Sequence, residues 1–249
     1  MAPPGPQPEA TATDTNPDGS VVALKLDRRL RVRRALETIS SVLVDGSAGK
    51  TAIVSSFGGE SAVLLALVAE VAPDAPVIFL ETGKHFPETL RHRDQLVARL
   101  GLTNVQSIAP DATALSDEDP DGTLWARDTD QCCTIRKVLP LERTLAGYDA
   151  WITGRKRFQA ATRNALPFVE WDGQHVKINP LADWTADDLA AFMDERDLPL
   201  HPLTKQGFPS IGCMPCTERV EDGEDARAGR WRGSGKTECG IHLPKDRAA

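Results

Sequence analysis

Apolar residues recur along this chain with two different periods. Between Leu24 and Leu43, the positions Leu30, Val32, Ala35, Leu36, Ile39 and Leu43 fall at helical spacing with arginines between them, which predicts an amphipathic helix. Short β-rich runs then alternate with helical ones. Residues 51–55 (TAIVS) read as a strand, 60–71 as a helix, 76–80 (PVIFL) as a strand and 104–108 as a weaker strand. A helix over 87–100 joins the last two, with Pro87 suited to its first turn. Strands separated by helices of this length predict βαβ units, hence an α/β fold with a parallel twisted sheet flanked by helices.

Past Pro110 the pattern turns polar as far as Gln131, where a helix opens at the Cys132–Cys133 pair and is interrupted by Pro140. Residues 148–153 (YDAWIT) and 176–179 read as further strands, and 183–194 as a helix capped by Asp183 or Thr185 with acidic residues in its first turn. No regular element is evident after Pro209. Residues 1–20 carry five prolines among Ala, Thr, Asp and Gly, too little apolar surface to offset the entropy of ordering, and are expected to form a disordered tail. The expected organisation is this tail, an α/β domain over 21–220, and a flexible C-terminal arm over 221–249. There is no internal repeat.

Charge and cysteine usage narrow the chemistry. The chain has 29 Lys and Arg against 36 Asp and Glu, a net charge of −7, which argues against sequence-independent binding to nucleic acid. Its longest apolar run, residues 62–69, is far shorter than the ~20 residues that span a bilayer, so no membrane association is expected. Without a basic start followed by an apolar block there is no secretory signal, and a cytoplasmic location is expected. Within this acidic chain, residues 127–163 carry eight basic and four acidic side chains, a local excess that would focus a small polyanion. For the run Arg155 to Arg157 a solvated face is an equal reading. Five cysteines, an odd number, favour metal ligation or catalysis over a disulfide framework.

Several short motifs carry chemistry. GSAGKT (46–51) has Val44 where a phosphate-binding Walker loop needs its first glycine, and it precedes its strand, so it is set aside. SSFGGES (55–61) follows a strand and opens a helix, which makes Ser56 and the glycines candidate phosphate binders; an ordinary tight turn is the alternative. ETGKHFPE (81–88) starts at the same carboxyl edge of the sheet, where open α/β sheets bind ligands, although His85 alone could simply be solvated. Cys132 and Cys133 cannot both point one way on a regular helix; with Cys213 and Cys216 they supply four soft ligands for tetrahedral zinc or, better suited to an adjacent pair, a four-cysteine iron–sulfur cluster. Lys137, one turn beyond Cys133, is placed to offset thiolate charge. Cys239 in KTECGIH (236–242) stands between a lysine and a histidine, cations that would favour its reactive thiolate, though a lone tail cysteine is more often inert.

Eight blocks in order, SSFGGES, ETGKHFPET, CCTIRKVLPLER, TGRKRFQAATR, INPLADWT, HPLTKQGFPSIGCMPCT, RAGRWRG and KTECGIH, resemble the thioredoxin-dependent adenylylsulfate (APS) and phosphoadenylylsulfate (PAPS) reductases over about residues 53–243. The resemblance implies an adenine nucleotide α-hydrolase-like fold and assimilatory reduction of APS to sulfite and AMP. Cys239 would be the nucleophile, forming an S-sulfocysteine resolved by thioredoxin or a glutaredoxin-like reductant. It implies that Lys137, Arg163, Arg227, Arg230 and His242 contact phosphate and sulfate. Ser56, Gly58, Thr153 and Gly154 would lie in nucleotide-binding loops, and Cys132, Cys133, Cys213 and Cys216 would hold a [4Fe-4S] cluster. Members with these four cysteines resemble the APS-using branch, some accepting both substrates. Phe57, where many APS-type members have serine, makes the first loop read more like the PAPS branch. Homo-oligomerisation stays open. The competing classes are an ATP-dependent adenylating or thiolating enzyme, which would favour an SGGxDS loop, and a noncatalytic metal-binding module.

Overall fold

The computed structural model describes residues 18–242. Helix α1 (Gly19–Leu43) opens the fold, capped by Asp18, whose carboxylate accepts from the Ser20 amide. It starts five residues earlier than the apolar spacing predicted and takes in Gly19 and Ser20 from the expected tail; residues 1–17 of that tail lie outside the described residues. There follow β1 (Thr51–Val54), α2 (Ser61–Val71), β2 (Val77–Leu80), α3 (Pro87–Leu100) and β3 (Val105–Ile108), each within a residue or so of its sequence prediction.

The polar stretch after Pro110 is not a plain loop. It contains α4 (Ala112–Glu118), capped by Asp111, and the single turn α5 (Leu124–Arg127). α6 (Thr129–Cys133) then runs into a π-helical segment, Thr134–Val138, and on into α7 (Leu139–Leu145). The break expected at Pro140 does not occur: the preceding turn is widened, and Pro140 sits in the first turn of α7, where a missing amide costs nothing. After β4 (Ala150–Thr153) come β5 (Val169–Trp171), which apolar patterning missed, β6 (Val176–Ile178) and α8 (Ala186–Glu195). The cap of α8 is Thr185.

The six strands form one sheet in the order β3-β2-β1-β4-β6-β5, parallel throughout except for the antiparallel edge strand β5. Central strands are buried on both faces, which is why they read as continuous apolar runs. Ile53, Val77, Phe79 and Ile152 point to a core shared with α1, α2 and α8, whereas Ala52, Ile78, Leu80 and Trp151 point to a second core shared with α7. Helices thus cover both faces. α2 is buried from Ala62 through Val68, as expected of a helix apolar all round. Among the described residues no helix is long and apolar enough to cross a membrane.

Candidate functional site

β1 and β4 are neighbours whose following connections leave in opposite directions, toward β2 and toward β6. Such a reversal opens a crevice at the carboxyl ends of the two strands. A cleft of about 240 Å³ lies there, walled by the loop after β1, the loop after β4, Thr82 and His85 beyond β2, and residues 209–213 and 226–242 of the C-terminal region. GSAGKT lies at the other, amino end of the sheet, where Asp149 accepts from the Lys50 amide at 2.7 Å and closes the turn against its neighbour strand. It has no access to the cleft.

The loop after β1 is shaped from below. Phe57 takes a left-handed backbone (φ 49°), is fully buried, and packs edge-to-face on Phe79 at 5.5 Å. Its side chain therefore anchors the loop in the core and leaves Ser56, Gly58 and Gly59 facing the cleft. Any influence of Phe57 on a ligand passes through loop backbone.

Cations supply the opposite wall. Arg155 and Lys156, for which a solvated face was one reading, turn inward after β4: Arg155 pairs with Glu170, and Lys156 with Glu60 at 2.8 Å. Arg157 alone of that run points away, donating to the Leu166 carbonyl and lying over Phe168. Arg163 and Arg227 converge on Glu238. Arg230 crosses directly over Gly212, where a Cβ would overlap its guanidinium, and rests on the Trp231 ring at 4.4 Å. His242 stacks on Trp151 at 5.8 Å with the planes 2° apart. Burial, and then the charges of Lys177, Arg155, Arg163 and Arg227, hold His242 well below the usual histidine range, so it is neutral. It does not supply the positive charge expected beside Cys239.

Cys239 stands at the floor of this wall. The Cys133 thiol donates to it and is the largest influence lowering its pKa; burial opposes, while Lys137, the Ile241 amide and Arg230 add to the lowering, leaving Cys239 well below an ordinary thiol. The Cys133 thiol is raised correspondingly by that hydrogen bond and by burial. Burial alone would lower the Lys137 ammonium, but Cys239, Cys213 and Cys133 outweigh it and hold the lysine charged. Lys236 bonds to Asp130 instead of standing free beside the thiol. Gly240, which follows Cys239, is closely approached by Val138 of the π segment, where a Cβ would come within 2.9 Å.

A second, smaller cavity adjoins the first, with Lys137 in the wall of both. Cys132, Cys133, Cys213 and Cys216 all line it. The widened turn that follows Cys132–Cys133 is what lets two adjacent thiols share one cavity. Cys213 shares a 3.4 Å hydrogen bond with Thr82, and Lys84 accepts the Met214 amide at its carbonyl, tying the Cys-x-x-Cys turn to the loop after β2. Among the described residues no three His, Cys, Asp or Glu close in tightly enough for a single ion. Four thiols spread around one cavity are the donor set of a cluster, whose ligands stand further apart than those of a lone zinc. The residues fit that group.

Every position singled out from sequence for substrate contact, namely Ser56, Gly58, Lys137, Thr153, Gly154, Arg163, Arg227, Arg230 and His242, lines the main cleft together with Cys239. Sequence reasoning missed Thr82, Arg155, Lys156 and Glu238. His85, for which simple solvation was one reading, is half-buried, bonds the Leu80 carbonyl at 2.9 Å and lies 4.7 Å from the Phe79 ring at a tilt of 30°.

A topological-switch cleft with a glycine-rich loop on one side and a cationic wall on the other defines an α/β protein with a site suited to an anionic ligand. A model of the phosphoadenosine phosphosulfate reductase domain matches residues 50–219, and the chain belongs to that family. It is 50% identical over 238 residues to the adenosine 5'-phosphosulfate reductase of Mesorhizobium japonicum, covering 96% of this chain and 94% of that one. The phosphoadenosine 5'-phosphosulfate reductase of Gloeobacter violaceus is 46% identical over 84% of this chain and 88% of its own. Among solved structures, the phosphoadenylyl-sulfate reductase of Candida auris superposes with a TM-score of 0.62 at 24% identity, over 76% of this chain and 96% of that one, a likeness of fold.

Proposed function

We propose that this chain is a thiol-dependent APS reductase of sulfate assimilation, with Cys239 as its nucleophile. The observation that carries the reading is the meeting of Cys239 with Lys137 and Arg230 in the cleft beside the loop after β1. The Cys239 thiolate attacks the sulfur of APS. An S–S bond forms, the S–O bond to AMP breaks with its electron pair leaving on the phosphate, and the protein carries Cys–S–SO₃⁻. A dithiol reductant, thioredoxin or a glutaredoxin-like protein, then attacks the Cys239 sulfur and expels sulfite. Its second thiol closes its own disulfide and returns the Cys239 thiol, so the two electrons that reduce the sulfur come from the dithiol. Lys137, Arg163, Arg227 and Arg230 lower the cost of bringing one anion to another, while Ser56, Gly58, Thr153 and Gly154 border the nucleotide.

Cys132, Cys133, Cys213 and Cys216 would hold a [4Fe-4S] cluster, which when bound supplies a fixed charge distribution beside Lys137. A bound Cys133 has no thiol proton to donate, which leaves Lys137, the Ile241 amide and Arg230 to oppose the raising effect of burial on Cys239. Five free cysteines suit a reducing, cytoplasmic setting. Val21, Val22, Leu24, Leu26 and Leu30, exposed along α1, are compatible with a homo-oligomer. Residues 221–242 act as an arm that brings Cys239 to the cleft and withdraws it to the reductant; residues 243–249 of the expected arm lie outside the described residues.

APS incubated with the protein in the absence of reductant adds a sulfonate to the peptide containing Cys239, and Cys239→Ser abolishes sulfite release; label on another residue, or full turnover in the serine variant, overturns the assignment. Sulfite release from APS and PAPS measured side by side decides between the reading and a PAPS or dual-substrate enzyme, which the Gloeobacter relative favours. An ATP-dependent adenylating enzyme would instead release pyrophosphate. For the cluster, protein purified without oxygen is brown with about four irons per chain; a colourless, zinc-loaded and fully active protein overturns it.

A further inference from the structure

Glu238, the residue before Cys239, occupies an unexpected place for a carboxylate. The cleft is built to receive anions, yet Glu238 sits in it, its side chain 12% exposed. Arg163 forks onto it, Nε to Oε1 at 2.6 Å and Nη2 to Oε2 at 2.7 Å. Arg227 Nη2 approaches Oε2 at 3.4 Å and also donates to the Thr237 carbonyl at 3.0 Å, and the Thr162 hydroxyl lies 3.4 Å from Oε1. The remaining bond of the Arg163 guanidinium goes to the neutral Gln159 side chain at 2.6 Å. Nearby, Arg155 shares Glu170 with Lys177, and Lys156 pairs with Glu60. The charges left for Arg163 and Arg227 come from the arm itself.

A planar carboxylate forked by arginine uses the same two-bond geometry by which arginine takes up a phosphate or sulfate. We infer that Glu238 is a built-in stand-in for the substrate's anionic group: it holds Arg163 and Arg227 in their binding geometry while the cleft is empty, and the incoming phosphosulfate displaces it. Glu238 is thus a positioning residue that lowers apparent affinity for the nucleotide: its side chain swings off Arg163 while Cys239 stays in the cleft to meet the substrate sulfur, and departure of AMP lets it return. The inference deepens the APS reductase reading and rests on it.

A competitor differs from a plain structural clamp in the sign of its effect. Removing a clamp weakens ligand binding; removing a competitor strengthens it. AMP and adenosine serve as unreactive probes in calorimetric titrations of wild-type protein, Glu238→Gln and Glu238→Ala. Both variants should bind AMP about tenfold more tightly than wild type, the order of one charge-assisted hydrogen bond, and adenosine within about twofold. Equal or weaker AMP binding in both variants overturns the inference while leaving the APS reductase reading intact, provided wild type binds AMP and takes up sulfonate on Cys239. Failure of wild type and both variants alike to bind AMP overturns both.

Discussion

Gly212 shows how one missing side chain can set chemistry. The Arg230 guanidinium lies in the space a Cβ would fill, with its Nε buried and without a partner among the described residues. The Trp231 ring on one side and the bare Gly212 backbone on the other hold it in place. Gly212→Ala is expected to push Arg230 out of line and lower kcat/KM for APS at least about tenfold, since sub-ångström placement of charge governs such sites. Its Tm should move by only a few degrees, because the displaced group is the far end of a side chain; sulfite release and a thermal melt check the two halves. At this scale the cysteines and Lys137 were legible from their own chemistry and spacing, whereas Arg227 and Arg230 were reached only through the family resemblance of the blocks that hold them. Glu238 was not legible, since a carboxylate contradicts the anion-binding logic that found its neighbours. Arg155 and Lys156 were missed for a related reason: a basic triplet reads as surface until its partners, Glu170 and Glu60, are known from the fold.

Among the elements, α8 is fastened by a reciprocal cap. Asp188 accepts from the Thr185 amide at 2.9 Å and hydroxyl at 2.8 Å, and Thr185 accepts from the Asp188 amide at 3.1 Å. The same buried carboxylate pairs with Arg31 and Arg28 of α1, so a single side chain ends one helix and clamps it to another. Burial would raise its pKa, but the Thr185 bonds and Arg31 outweigh burial and keep it charged. Asp188→Asn should cost about 2 to 3 kcal/mol, read from urea unfolding, by leaving two arginines without their shared charge. Long elements were legible because their apolar period persists. The turns of α4 and α5 contain no periodic face to detect, and β5 is three residues long with two of them exposed. The π segment has no compositional mark at all; it follows from fitting Cys132–Cys133 and Pro140 into one continuous helix.

Taken whole, the molecule buries two imidazoles back to back between α3 and the stretch after α8. His92 and His201 meet at 4.9 Å, and both are fully buried. The Leu203 amide donates to His201 Nδ1, so His201 donates from Nε2 to the Thr89 hydroxyl at 3.0 Å and is neutral. Burial lowers each pKa to about 4. Unfolded histidine titrates near 6.5, so between roughly pH 6.5 and 4 the unfolded chain binds more protons than the folded one, and stability falls as pH falls. The contribution is complete above that window. The Tm should therefore drop between pH 7 and pH 5, and His92→Phe should flatten the drop; an unchanged slope in the variant would remove this pair as its cause. The same view of the whole separates the two ends of the sheet. All the reactive groups gather at the carboxyl end, while the exposed turn through Asp45, Gly46 and Ser47 sits at the other. A tether, dye or electrode linkage attached at Asp45 would hold the enzyme with its mouth outward, leaving diffusion of nucleotide and docking of a redox protein unobstructed.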